Sequence, residues 1–519
     1  MHPDTLNSRR FNLLLTAGVA MLAASRLPQL LGRQLILDGD EAVVGLMARH
    51  LAEGGPPVVF FYGQRYGFAL LEAGLGAAFF LAFGVSTAVL KAAVLSLWAV
   101  GAVLYVLAVG RWQGPRVALA AGALLVLCPA WGAWSMKARG GYVTAFAAAG
   151  LATWLIARVD AGAGRIRALL ALLGVALGLI LLAHPFWLIA TGPLLLLPGL
   201  RRKAAGHWWF LVAGGVVLVA PLLVIGLYQS NGYWLPATFS RPDVVLALSE
   251  LPYRVWAHFT GAYHITYRYN QGVRFSEICA ALWCMLLLAA VWWRLRRRAG
   301  GDDAVARLSM LGVAGVAALS LVIDNEWYAF RYLLPISAAL VVAVSADVKH
   351  FLEGGRGHRV AVRAGALLLL ATGAASMVEF GRIPFNGYPS GGAVPEPQAL
   401  RMLVDELLAD GIHHVYVDDP LLQWNIMFES GEEILARWKA PGDRLAAYPR
   451  AVDAALRGGA PVAIVGVSAR ISMAELREFL RLAGHADLRP RIVADRYLVL
   501  PQVTVDLIEA TEFELSASP

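Results

Sequence analysis

Long apolar segments alternate with short polar stretches over the first 380 residues of this chain. Several of them approach or exceed the roughly 18 apolar residues that mark a transmembrane helix. The pattern predicts a mainly α fold, a polytopic transmembrane helical bundle of about eleven spans. The predicted spans are residues 11–31, 86–109, 116–132, 142–157, 168–183, 186–200, 208–228, 276–294, 306–323, 332–347 and 360–378.

The pattern changes near residue 381, where short apolar segments begin to alternate with amphipathic ones. This alternation predicts a small α/β domain with a partly parallel sheet. The chain therefore divides into a transmembrane domain, 1–380, and a C-terminal domain, 381–519, which is entered through the glycine-containing linker 390–395. Helices are predicted at 398–410, 447–456 and 473–482, and strands at 414–417, 462–467 and 497–500.

Composition supports a membrane protein, because 58% of the residues are hydrophobic and only 15% are charged, against about 25% charged in soluble domains. The formal charge of +8 is unevenly distributed: residues 381–519 hold 19 acidic and 13 basic residues, and the rest of the chain holds 17 and 31. A basic balance in a multi-span protein indicates cytoplasmic loops, so we expect membrane lipids and no nucleic acid as partners. Cys128, Cys279 and Cys284 lie in apolar segments, and their spacing matches no metal site.

Lysine and arginine positions orient the spans. With a cytoplasmic N-terminus, every predicted inner loop is basic. We therefore predict a multi-pass protein of the inner or plasma membrane, with loops 32–85 and 229–275 and the C-terminal domain outside the cytoplasm. The predicted inner loops carry Arg9 and Arg10, Arg111 and Arg116, Arg158, Arg165 and Arg167, the cluster 201–203, the cluster 294–298, and Lys349, Arg356 and Arg359.

Two segments make this topology ambiguous. Residues 66–84 are apolar enough to span, but counting them as a span would place the basic cluster 294–298 outside. We therefore interpret them as an interfacial or re-entrant helix on the outer side. We interpret 168–183 and 186–200 as two short spans joined by a tight outer turn at His184 and Pro185.

Three acidic residues, Asp38, Asp40 and Glu41, follow the first predicted span within ten residues. Crowded carboxylates repel each other at a membrane surface, which makes the cluster a site hypothesis. An apolar boundary disfavours the charged form and raises proton affinity, which suits a general base. An alternative is that the cluster caps a helix at 41–51, with Asp40 at the N-cap; the two interpretations are compatible.

Other polar residues on the predicted outer side suit a sugar phosphate. Tyr62, Gln64, Arg65 and Tyr66 lie in an aromatic, glycine-bearing segment that suits sugar stacking and phosphate binding, or equally an interfacial aromatic belt. Lys137 and Arg139 break the inside-positive pattern, and two cations at the outer interface suit binding of a lipid phosphate. The alternative is that their side chains snorkel at helix ends. Arg331 reaches the same phosphate or pairs with Asp324 or Glu326. His258 and His264 form a poor metal site, and Asp38 with Asp40 alone does not specify a cation.

The order of these features resembles that of the GT-C glycosyltransferases, in particular the bacterial group related to protein O-mannosyltransferases and the aminoarabinose transferase of lipid A modification. The matching features are Asp40-Glu41 after the first span, Gly54 and Pro57, the stretch 60–67, Leu71-Glu72, a basic second outer loop, the stretch 331–335 and an outer C-terminal domain. The resemblance implies outer-loop helices around a membrane-level cavity, a polyprenyl-phosphate-linked sugar donor and Asp40 as the catalytic aspartate of an acidic pair with Glu41. Asp38 lies outside this pair, and Lys137 and Arg139 stand where some members carry a second acid.

These features together predict an inverting membrane glycosyltransferase, in which Asp40 takes the proton of an extracytoplasmic acceptor, be it lipid, glycan or protein. Lys137, Arg139 and Arg331, with Arg65 behind them, would stabilise the departing lipid phosphate. No nucleotide-binding pattern occurs in the sequence. The scheme needs no cofactor; a divalent metal is compatible with it but not required. One alternative is a lipid or sugar transporter, for which repeats and mid-span ionisable residues are typical, and the predicted spans lack both. The other is a non-catalytic assembly protein that binds through its C-terminal domain.

Overall fold

The computed structural model describes residues 8–32, 35–230, 244–261, 274–296, 304–322, 329–353, 356–381, 396–439, 444–468 and 472–516. Over the membrane part these residues are almost entirely helical. The α-helices are α1 (Ser8–Leu30), α2 (Gly39–Ala52), α3 (Leu70–Phe83), α4 (Thr87–Gln113), α5 (Pro115–Leu127), α6 (Trp131–Trp134), α7 (Tyr142–Asp160), α8 (Ile166–Ala183), α9 (Phe186–Thr191), α10 (Pro198–Ala204), α11 (Trp208–Gln229), α12 (Val244–Thr260), α13 (Arg274–Arg296), α14 (Ala304–Ser320), α15 (Leu334–Glu353) and α16 (Arg356–Phe380), with 3₁₀ helices at Gly192–Leu196 and Ala329–Leu333.

The chain is an integral membrane protein, since six helices in the described ranges are long and apolar enough to cross a bilayer: α4, α7, α8, α11, α13 and α16. The count of eleven spans stays a prediction. The predicted span 186–200 is wrong as one continuous helix. It breaks into α9, a 3₁₀ turn and α10, because Pro193 and Pro198 lack the amide proton that a helix interior needs. The predicted span 116–132 ends early at Leu127, two residues before Pro129.

Contacts between loops show which helix ends lie together. The indole nitrogen of Trp112 donates to the Asp160 carboxylate over 3.3 Å, and the Lys203 ammonium donates to the Asp160 carbonyl over 2.5 Å. These residues come from three predicted inner loops. The other end of α7, at Tyr142, adjoins the loop that carries Lys137 and Arg139. These three predicted inner loops are therefore at the opposite end of α7 from the loop that carries Lys137 and Arg139.

The ambiguous segment 66–84 forms the 14-residue helix α3. At 1.5 Å per residue it is about 21 Å long, shorter than the roughly 30 Å of bilayer hydrocarbon. It packs on α2 through Gly76, where a Cβ would lie 3.0 Å from Ala48. Its Phe80 ring contacts the ring of Phe428 in the C-terminal domain, with centroids 6.4 Å apart. Because α5, within a predicted span, is no longer than α3, it is the packing on α2 and on Phe428 that favours the interfacial interpretation.

The C-terminal domain has the predicted α/β character. A five-stranded sheet has the order β2-β1-β3-β5-β4, in which β1 pairs parallel with β2 and β3, and β5 pairs antiparallel with β3 and β4. The three predicted strands are confirmed, whereas β2 and β4, of three residues each, are too short to leave a pattern. The elements are α17 (Glu396–Ala409), β1 (His414–Val417), α18 (Leu422–Glu429), β2 (Leu435–Arg437), α19 (Ala447–Arg457), β3 (Val462–Val467), α20 (Met473–Leu482), β4 (Arg491–Val493), β5 (Tyr497–Leu500) and α21 (Val505–Glu509).

Helix α18 packs directly on α2, the helix that carries the acidic cluster. A Cβ on Gly39 would lie 2.6 Å from the Cβ of Leu421 and 2.7 Å from its backbone, so the two segments touch where α2 begins. The Asn425 amide donates to the Leu37 carbonyl over 3.0 Å. Gly45, further along α2, lies against the ring of Phe428. This contact places the C-terminal domain over the site described next.

Candidate functional site

The acidic cluster begins α2 as a capping box. The Asp38 carboxylate accepts from the Glu41 amide over 2.9 Å, and the Glu41 carboxylate accepts from the Asp38 amide over 3.1 Å. An N-cap aspartate with glutamate three residues later satisfies two amide protons that a helix start leaves without intrahelical partners. The helix therefore starts at Gly39, and the predicted N-cap, Asp40, is wrong: the cap is Asp38, and Asp40 lies in the first turn.

Glu41 fastens α2 to the membrane helices. Its other oxygen accepts from the Lys91 ammonium on α4 over 2.7 Å and from the Ala138 amide over 3.3 Å. Both charged side chains are fully buried. Because both oxygens of Glu41 accept from protein groups and the side chain has no exposed surface, its contacts are structural ones. The catalytic role predicted for it stays a prediction that the geometry does not favour.

Asp38 pairs with the two cations of the loop between α6 and α7, Lys137 and Arg139. Its Oδ2 lies 2.6 Å from the Lys137 ammonium and 3.4 Å from Arg139 Nη1. Lys137 is 1% exposed, and it also lies 5.9 Å from the centroid of the Trp134 ring. Burial alone would raise the pKa of Asp38, but Lys137 and Arg139 outweigh it and hold this pKa well below its ordinary value. Both cations bind carboxylates, which argues against simple snorkelling at helix ends.

Asp40 is held between two arginines from different parts of the chain. Its Oδ2 lies 2.9 Å from Arg139 Nη2, and its Oδ1 lies 2.8 Å from Nη2 of Arg444 in the C-terminal domain. Burial raises the pKa of Asp40, but the two guanidinium groups lower it by more, so this pKa lies below its ordinary value. The expectation that an apolar boundary raises its proton affinity is therefore wrong, because charge pairing overrides desolvation. Asp40 is ionised at neutral pH and is partly exposed.

Arg331 and a row of aromatic rings continue the site away from the acids. Arg331 is close enough to Asp40 and Arg139 to interact electrostatically with both, and its guanidinium donates to the Tyr332 hydroxyl over 2.9 Å. Ring contacts lead from the Lys137 side to the Arg331 side at centroid distances of 4.4 to 6.0 Å, through Trp134, Tyr142, His184 and Tyr332. A few charged groups beside aromatic walls are typical of small-molecule sites.

The aromatic segment 57–67 contributes differently from the prediction. Tyr62 is buried and hydrogen-bonds its hydroxyl to His50 Nδ1 over 2.5 Å, and Gln64 is buried as well. Arg65 is exposed and donates to the Ser230 hydroxyl, and Tyr66 is exposed. Tyr62 and Arg65 therefore bind His50 and Ser230, outside the acidic cluster. Instead the neighbouring Phe61 lies against the cluster, with its ring 5.2 Å from the Arg444 guanidinium.

Sequence reasoning missed several residues here. Arg444 follows a polar stretch with no motif, and nothing local connects it with Asp40. Lys91 had a usable signal, a lysine near the start of an apolar span, where a charge needs a partner. Four predicted elements cannot be compared, because they lie outside the described residues: the linker 390–395, His264, Asp324 and Glu326.

The donor set does not fit a divalent cation. In the part of the chain that the structure describes, no three histidine, cysteine, aspartate or glutamate side chains are placed to hold a metal ion. Calcium and magnesium sites use carboxylate oxygens that face the ion. Here the carboxylates of Asp38 and Asp40 face lysine and arginine groups instead.

Comparisons with known proteins identify the fold. No protein-family model matches the sequence, and a search of the curated proteins finds no match. Among solved structures, ArnT from Cupriavidus metallidurans bound to undecaprenyl phosphate has a TM-score of 0.61 at 14% identity, covering 95% of this chain and 98% of that one. Its apo structure has a TM-score of 0.60 at the same identity and coverage. An Archaeoglobus fulgidus oligosaccharyltransferase tethered to an acceptor peptide has a TM-score of 0.51 at 13% identity, covering 91% and 71%. Both are membrane glycosyltransferases of the GT-C superfamily, so the predicted GT-C-like fold is confirmed.

Proposed function

We propose that this protein transfers a sugar from a polyprenyl-phosphate-linked donor to an acceptor at the extracytoplasmic surface of its membrane, with inversion at the anomeric carbon. The observation that carries the proposal is Asp40, an ionised, partly exposed carboxylate fixed by two arginines. It lies at one end of a bundle whose fold is similar to that of ArnT bound to undecaprenyl phosphate.

The charge balance of the site suits an anionic donor. Five cationic side chains surround three carboxylates, which leaves an excess of two positive charges. Charge-assisted hydrogen bonds from arginine are strong and match the geometry of a phosphate. Arg139 and Arg331 are partly exposed and are the groups we expect to meet the phosphate, whereas Lys137 is buried against Asp38. The five cations are Lys91, Lys137, Arg139, Arg331 and Arg444.

The proposed step is a single displacement. The acceptor oxygen forms a bond to the anomeric carbon from one face while the bond from that carbon to the phosphate oxygen breaks on the other. The acceptor proton passes to a carboxylate oxygen of Asp40. The bonding electrons leave with the polyprenyl phosphate, whose developing charge Arg139 and Arg331 stabilise. Because the pKa of Asp40 is low, the proton moves as the phosphate departs and not before.

The same placement supports a proposal for the topology. We propose a cytoplasmic N-terminus, about eleven spans over residues 1–380, and an extracytoplasmic C-terminal domain over residues 381–519. Three of the predicted inner loops meet at one end of the helices, while Asp40 and the C-terminal domain meet at the other. A donor that has crossed the membrane would reach the site from the outer leaflet.

The test is sugar transfer from radiolabelled polyprenyl-phosphate donors in membranes that contain equal amounts of wild type, Asp40→Asn or Asp160→Asn. Asparagine keeps the shape of Asp40 but cannot take the proton, so we expect a loss of about 10²- to 10⁴-fold. Asp160 lies at the opposite end of α7 and serves as the matched control. Transfer by wild type and Asp160→Asn but not by Asp40→Asn would support the proposal. Equal transfer by all three proteins, or none by wild type across a broad donor panel, would overturn it.

A further inference from the structure

Arg444 is the residue of the C-terminal domain that reaches into the acidic cluster. It lies shortly before α19, in a different domain from Asp40, and its guanidinium is 2.8 Å from Asp40 Oδ1. The side chain is only 11% exposed, with the Phe61 ring 5.2 Å from the guanidinium carbon. An arginine enclosed between a carboxylate and an aromatic face is oriented by both.

A second contact from the same domain holds the other end of α2. His50 Nε2 lies 2.6 Å from the Glu432 carboxylate, while His50 Nδ1 bonds the Tyr62 hydroxyl. The Tyr448 hydroxyl donates to the other oxygen of Glu432. Glu432 has a φ of +65°, a left-handed conformation that is unfavourable for a residue other than glycine. That Glu432 adopts this conformation indicates that its surroundings hold it in place. We call this junction the His50 cluster (His50, Tyr62, Glu432 and Tyr448).

The two contacts lie at opposite ends of α2. Residues 40 and 50 of a helix are about 15 Å apart along its axis. The C-terminal domain therefore sets the direction of α2 as well as the charge beside Asp40. Near its middle, α2 is also closely packed on α18 at Gly45, where a Cβ would lie 2.6 Å from the Phe428 ring.

We propose that Arg444 is a positioning residue for the transfer reaction, which fixes the Asp40 carboxylate and makes the site complete only when the C-terminal domain is docked on α2. This inference rests on the proposed function. Arg139 reaches one carboxylate oxygen and Arg444 the other, so both oxygens are oriented. Without Arg444 the carboxylate keeps its ion pair with Arg139 but gains rotational freedom about its side-chain bonds.

Loss of Arg444 also changes the electrostatic balance at Asp40. The Arg444 charge and its hydrogen bond both lower the pKa of Asp40, so removing them raises that pKa. When its pKa is raised, Asp40 becomes protonated, and so inactive as a base, at a higher pH. The acid limb of the pH dependence of transfer therefore moves to higher pH. The other charged or titratable groups that act on Asp40 stay in place in such a variant: Arg139, Asp38, Arg331 and Tyr142.

The first experiment is the pH dependence of transfer for wild type, Arg444→Gln, Arg444→Lys and Arg481→Gln. Arg481 is an exposed arginine of the same domain, paired with Glu478, and is the matched control. We expect Arg444→Gln to lower kcat by roughly 10- to 100-fold through misplacement of the base, and to move the acid limb to higher pH. Arg444→Lys restores the position of the limb because it restores the charge. A limb unmoved in Arg444→Gln, or moved equally in Arg481→Gln, would overturn the inference.

The second experiment needs no activity. A hydrophobic carbodiimide modifies protonated carboxyls, and peptide mass spectrometry measures its reaction at Asp40 as a function of pH. We expect Arg444→Gln to be modified up to a higher pH than wild type, Arg444→Lys and Arg481→Gln. Superimposable labelling curves would refute the positioning role even where transfer is observed. Shifted curves in a protein that uses no donor would support the contact and refute the proposed function instead.

Discussion

The buried pair between Lys91 and Glu41 gives a quantitative prediction for folding. Both side chains are fully buried, and Lys91 Nζ lies 2.7 Å from Glu41 Oε1. In Lys91→Met, a side chain of similar length removes the positive charge, and Glu41 stays buried with only backbone amides as partners. Breaking a buried ion pair by removing one partner costs about 3–5 kcal/mol. We therefore expect the free energy of unfolding to fall by about that amount.

The matched variant combines Lys91→Met with Glu41→Gln. Glutamine keeps an oxygen that accepts from the Asp38 amide, and it removes the buried charge. Replacing both members of a buried ion pair with uncharged groups often changes stability little, so we expect most of the lost stability to return. The assay is unfolding in mixed micelles titrated with sodium dodecyl sulfate, followed by tryptophan fluorescence, with Arg481→Gln as the surface control. Two results would contradict this prediction: Lys91→Met unfolding at the same detergent fraction as the control, or the double variant being as unstable as the single one.

Three further predictions follow from other contacts. Transfer should be unchanged by EDTA, since lysine and arginine occupy the carboxylate oxygens of Asp38 and Asp40; abolition by EDTA with recovery on adding a divalent cation would contradict this. Gly39→Ala should loosen the docking of the C-terminal domain, because its Cβ would lie 2.7 Å from the backbone of Leu421; faster hydrogen exchange in α2 than in a Gly365→Ala control, where a Cβ meets open space, checks this. Arg437→Leu should destabilise the C-terminal domain by about 3–5 kcal/mol, since Asp453 loses a buried partner at 2.6 Å; unfolding at the wild-type denaturant concentration would argue against it.

Local pattern predicted the helices and strands well, because each is set by a periodicity within its own residues. Strand β1 and helix α20 begin and end at the predicted residues, and the start of α7 is also correct. The break between α9 and α10 was missed, although Pro193 and Pro198 carry the signal. Charge pairing is not a local property. The Arg444 contact joins residues that are 404 positions apart, so no window on the sequence contains both.

The acidic cluster illustrates why the site chemistry differs from the sequence expectation. Three neighbouring carboxylates repel each other, and each is offset by a cation from a different element: Glu41 by Lys91 of α4, Asp38 by Lys137 of the loop between α6 and α7, and Asp40 by Arg444 of the C-terminal domain.

Arg139 joins the last two pairs. Since each pair needs a different part of the chain, the cluster reaches low energy only when α2, α4, the loop between α6 and α7 and the C-terminal domain are all in place. A charged Asp40 is therefore a product of complete assembly. Among the three acids it is the one whose partner comes from the C-terminal domain, which makes it the carboxylate most responsive to how that domain is docked.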